Sequence, residues 1–74
     1  MDVPTPNQLT RKIELLLEIN AETVPLGSYP KYQPIIVRLK TIYKIVDQTA
    51  ATNEAKLGKM AARLNVLKDE IRKL

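Results

Sequence analysis

The chain has no cysteine, no histidine, no phenylalanine and no tryptophan, and only two glycines in 74 residues. Each absence removes a class of chemistry. Without cysteine there is no disulfide to staple a small fold and no thiolate to hold zinc or act as a nucleophile. Without histidine the commonest metal ligand and the commonest general base near neutral pH are gone. Gly27 and Gly58 stand alone, so no glycine-rich loop exists to cradle a phosphate. Ser28 is the single serine, with no base nearby in the sequence. The carboxylates are scattered among Lys and Arg, and the one adjacent pair after the first few residues, Asp69-Glu70, points two ways on a helix. The expectation is a protein that is not an enzyme, with no metal, no cofactor and no small-molecule ligand.

Long hydrophobic runs are also missing. Stretches such as Leu15-Leu16-Leu17 fall far short of the roughly 18 residues of a membrane span. The start, Met1-Asp2-Val3-Pro4, lacks the basic residues and apolar stretch of a secretory signal. These features predict an intracellular chain without membrane contact.

What remains is aliphatic and charged. Leu, Ile and Val dominate the apolar set, joined by Tyr29, Tyr32 and Tyr43. A length of 74 residues allows one domain, 1–74, and no more. Such a domain hides only about 60–65% of its unfolded surface, so its core is thin and a partner is a natural supplement. The net charge of +4 is unevenly spread. Residues 1–33 hold three cations against four carboxylates, net −1, and residues 34–74 hold nine against four, net +5. That asymmetry admits weak phosphate contacts by Lys40 and Lys44, and by Lys59 and Arg63, each pair spaced i,i+4 on one helix face. Neither a zinc finger nor a dense basic region accompanies them.

Three helical segments follow from periodicity and capping, at about 6–22, 34–49 and 53–73. Thr5-Pro6-Asn7-Gln8 spells a capping box with proline at the first helical position. Leu9, Ile13, Leu16 and Leu17 then recur at helical spacing, with Leu15 and Ile19 widening the stripe. Glu14, Glu18 and Glu22 share another face, which is either solvated or a docking stripe for basic side chains, including the chain's own C-terminal half. Pro25, Gly27 and Pro30 end the helix, and Tyr29 and Tyr32 in the connection are placed to lid the core. Pro34 opens the second helix, where Ile36, Leu39, Tyr43 and Val46 form a stripe and Ile35, Ile42 and Ile45 add apolar surface beyond it. The third run is the most regular: Leu57, Met60, Leu64, Leu67, Ile71 and Leu74 alternate at spacings of three and four.

The joint at 47–54 is polar but contains neither glycine nor proline, so the all-α fold has two forms. A turn there, with Thr52 or Asn53 capping the third helix and Glu54 in its first turn, gives a helical hairpin plus third helix, a three-helix bundle. No turn gives a short helix followed by one long coiled-coil helix of about 60 Å, whose seam runs through Ile36, Tyr43, Ala50, Leu57, Leu64 and Ile71, with Asn53 buried to fix register. A parallel homodimer of that helix sets Arg63 against Lys68, which favours a different chain as partner. Either way the ridge Leu57, Met60, Leu64, Leu67 and Ile71 is a candidate partner surface.

Two stretches carry a family resemblance. Val3-Pro4-Thr5 followed by Lys12-Ile13-Glu14-Leu15-Leu16-Leu17-Glu18-Ile19-Asn20 resembles the conserved helix of the smallest subunit of the fungal SWI/SNF chromatin remodeller. Tyr32-Gln33, then Ile36, Leu39, Ile42-Tyr43 and Ile45-Val46-Asp47, is similar to the second helix of the SSXT (synovial sarcoma translocation) homology domain, its metazoan and plant counterpart. The resemblance implies a nuclear coactivator subunit that binds the N-terminal region of the remodelling ATPase. It implies Leu16, Ile19, Tyr32, Gln33, Leu39, Tyr43 and Asp47 as ATPase-facing residues. A fainter likeness, in helix lengths and in Asp47 after Ile45-Val46, is to the BAG domain, a three-helix exchange module for Hsp70 chaperones. The acid that family carries ten positions earlier is Val37 here. The function expected is a non-catalytic protein–protein interaction subunit of a SWI/SNF-type complex. The alternatives are a homo-oligomeric coiled-coil module with auxiliary nucleic-acid contacts, and a BAG-like co-chaperone.

Overall fold

A computed structural model describes residues 3–74 as three α-helices and one 3-10 turn. Met1 and Asp2, part of the N-terminal reading above, lie outside the described residues. Helix α1 spans Pro6–Leu26, α2 spans Gln33–Gln48 and α3 spans Glu54–Lys73, with the 3-10 turn at Pro30–Tyr32.

The start of α1 is fixed as its sequence dictates. The Gln8 backbone N–H donates to Thr5 Oγ1 at 3.2 Å, and the Thr5 N–H donates to Gln8 Oε1 at 2.9 Å. Its end runs a turn beyond expectation, through Pro25 to Leu26. Pro25 removes one helix hydrogen bond, to the Ala21 carbonyl, and burial of Leu26 holds the last turn against the core despite that loss. Tyr32 lids this end of the core, half-buried, with Lys31 Nζ 5.1 Å above its ring and Tyr29 edge-on to it at 5.9 Å. Tyr29 itself faces water.

The joint after α2 is a turn, so the long-helix alternative does not form. Thr49 leaves the helix with extended backbone, φ −88° and ψ 132°, while its buried hydroxyl donates to the Ile45 carbonyl at 2.6 Å. Asn53 then caps α3 by accepting the Lys56 N–H at 3.2 Å, and Glu54 places an acid in the first turn. Asn53 is thus an exposed cap and not a buried register residue. Side-chain oxygens that bond to nearby backbone can end a helix as glycine or proline would.

The helices run up, down and up. Arg11 reaches Glu54, and Lys68 reaches Glu18 and Glu22, so α1 and α3 are parallel. Lys12 Nζ donates to the Asp47 carbonyl and Arg38 pairs with Glu70, so α2 is antiparallel to both. Leu15, Ile19 and Leu26 of α1, five residues from Ile35 to Val46 on α2, and Leu57, Met60, Leu64 and Leu67 of α3 share one core. The bundle is a rod of 44 × 18 × 16 Å. Its radius of gyration is 13.1 Å, against about 11 Å for a globule of this length, so a large share of each helix faces outward.

Candidate functional site

The outward side of α1 is the most unusual surface. A helix on a small bundle normally turns one apolar stripe inward and its charges outward. Here the charges lie along the flanks beside α2 and α3, at the edges of the buried stripe. Arg11 Nη1 lies 3.1 Å from Glu54 Oε1, Lys12 Nζ donates to the Asp47 carbonyl at 3.1 Å, and Glu18 and Glu22 both face Lys68, the latter at 4.0 Å. Glu14 borders the groove between α1 and α3. At 100° per residue these five charges occupy the arc that also carries Leu15, Ile19 and Leu26. The opposite arc of about 120° contains Leu9, Ile13, Leu17 and Val24, with Thr10, Asn20 and Ala21 between them and no charged residue. Those four aliphatic side chains are 44%, 54%, 62% and 76% exposed. At about 25 cal/mol per Å² each would gain on the order of 1 kcal/mol from being covered.

Of the ATPase-facing candidates, Ile19 and Leu39 are fully buried in the chain's own core. Leu16, Tyr32 and Tyr43 are half-buried against it, and Gln33 and Asp47 are exposed. The predicted ridge on α3 turns inward as well: Leu57, Met60, Leu64 and Leu67 are buried, and Ile71 packs partly against them. These placements on α3 have one cause. With the chain turned at Thr49, the ridge meets α1 and α2 and has no free face to offer. Leu9, Ile13 and Leu17, which face water on α1, belong to the stripe that periodicity picks out, and Val24 lies in the turn that the helix adds beyond its expected end. The signal that separates them from the buried residues is the arc of charge: Glu18 and Glu22 flank the buried side and meet Lys68 on the facing helix.

A second surface lies between α2 and α3. Two adjoining depressions share Arg63. One has Ile42, Val66 and Leu67 at its floor and Arg38 at its edge, and the other has Ile45 and Met60 with Lys56 and Lys59. Arg38 is paired with Glu70 at 2.8 Å. Among the described residues no carboxylate comes within ion-pair distance of Lys56, Lys59 or Arg63. Of the predicted phosphate-contacting set, Lys59 and Arg63 line this groove, whereas Lys40 and Lys44 lie on the exposed side of α2 and line neither depression.

Among the described residues, no group of three or more carboxylates is placed to hold a metal ion, and no buried side-chain polar atom lacks a hydrogen-bond partner. Among the described residues, no helix is long and apolar enough to cross a membrane. No family model matches the chain, and neither a curated protein nor a solved structure matches it.

Proposed function

We propose that this chain is a non-catalytic helical protein–protein interaction subunit, docked on a larger protein through the outward face of α1. One observation carries the reading: four of the five charges of α1, Arg11, Lys12, Glu18 and Glu22, reach α2 or α3, while Leu9, Ile13, Leu17 and Val24 face water. An uncharged aliphatic stripe of this length suits an apolar helix of another chain, read at i, i+4 and i+8. The partner class comes from the sequence resemblance: the remodelling ATPase of a SWI/SNF-type complex, which also makes the setting nuclear. Half-buried Leu16, Tyr32 and Tyr43, with exposed Gln33 and Asp47, are the family-matching residues still within reach of such a partner.

Affinity purification of the tagged chain from its native cell, at high salt, tests this. Co-elution of a large remodelling ATPase, lost when Ile13 and Leu17 are both changed to Gln, is the expected result. Recovery of an Hsp70 chaperone in its place would move the assignment to the co-chaperone reading. A tight homodimer that survives dilution, with no other protein retained, would refute the hetero-subunit reading.

A further inference from the structure

The geometry points to a second docking site: the α2–α3 groove takes an acidic amphipathic helix from a partner chain. The inference stands on α2 and α3 and is independent of the α1 face. The groove has a floor and a rim of different chemistry. Val66, 54% exposed, and half-buried Ile45 are the apolar surface that the groove offers, beside Ile42, Leu67 and Met60, which the bundle already buries. Arg38, Lys56, Lys59 and Arg63 form the rim, with Glu70 at one end engaged by Arg38. From Asn53 to Leu67 the lining residues run about 21 Å along α3, the length of a helix of about 14 residues. Two antiparallel helices leave a channel between them in which a third helix lies lengthwise.

Charge complementarity selects the occupant. The three rim cations without carboxylates give the groove a positive field that draws and orients an acidic segment. A second copy is a poor fit, because the chain is +4 and its α1 carboxylates Glu18 and Glu22 are already held by Lys68. A nucleic-acid backbone would use the rim but leave the floor wet, and no aromatic ring lines the groove to stack a base. An acidic helix uses both: leucines at i, i+3, i+4 and i+7 cover the floor, and flanking carboxylates meet the rim.

The test is a titration of the full chain, nitrogen-15 labelled, with a synthetic helical peptide carrying leucines at those positions and Glu on their flanks. Amide shifts are expected around Thr41, Ile45, Lys59 and Arg63 and not around Ile13 and Leu17. Changing Lys59→Glu and Arg63→Glu together should weaken binding about tenfold or more, whereas Ile13→Gln with Leu17→Gln should leave it unchanged. The proposal is overturned if a peptide with every Glu replaced by Lys binds equally well, or if no shift appears at millimolar peptide. It is also overturned if a short DNA duplex shifts the same amides while the peptide does not, which would make the groove a polyanion site.

Discussion

Ile13 and Ile19 sit on the same helix and have the same side chain, yet one is 54% exposed and the other has no exposure at all. Their substitution is the sharpest check on how α1 is turned. Ile19→Ala should remove a fully packed side chain and leave a cavity, costing about 2–4 kcal/mol. Ile13→Ala should cost under about 1 kcal/mol, because water already reaches most of that side chain. Urea denaturation of the two variants measures both. Equal losses would mean that α1 is rotated from the orientation described. The contrast matters for function as well as fold, since only a residue that the core can spare is free to bind something else.

At the scale of elements, the helices were legible where local chemistry decides them. Thr5-Pro6-Gln8 gives the capping box that starts α1, and Asn53 with Glu54 starts α3, both as their side-chain types require. The stripe Leu57–Leu67 was legible as a buried ridge but not as one buried by its own chain. A heptad kept in phase across 36–74 reads the same whether the helix continues or folds back, because both forms bury Ile36, Leu57 and Leu64 and differ at the joint, where Ala50 and Asn53 are exposed. The Thr49 hydroxyl and the Asn53 cap break that tie, and each is a single hydrogen bond. Asn53→Ala should therefore cost about 1 kcal/mol of stability, read from the shift in the denaturation midpoint. The turn of α1 about its axis was not legible, since Leu9, Ile13, Leu16 and Leu17 make as good a stripe as Leu15, Ile19 and Leu26. The α1–α3 groove offers an opposite change. A Cβ added at Gly58 meets nothing within 4 Å, and the residue lies inside a helix. Gly58→Ala should stabilise the chain by about 0.5–1 kcal/mol and raise its melting temperature by a few degrees in calorimetry. A loss of stability would show that this groove is closed more tightly than described.

For the whole molecule, the rod shape sets a conflict between stability and solubility that the α1 face exposes. Three helices side by side cover one side of each, and a chain of 74 residues has little spare surface with which to hide another. An aliphatic stripe left in water gives the isolated chain no stability and favours self-association. Replacing Leu9, Ile13 and Leu17 together by Gln should therefore leave the unfolding free energy within about 1 kcal/mol of the parent chain, with an unchanged denaturant slope. Light scattering should show the variant monodisperse at concentrations where the parent associates. Polar substitutions at true core positions would instead cost several kcal/mol and give a molten, dye-binding state. A cooperative, soluble triple variant that no longer retains a partner would separate the surface that folds this protein from the surface that it offers to another. A triple variant that cannot fold would place the stripe inside the core and remove the docking face.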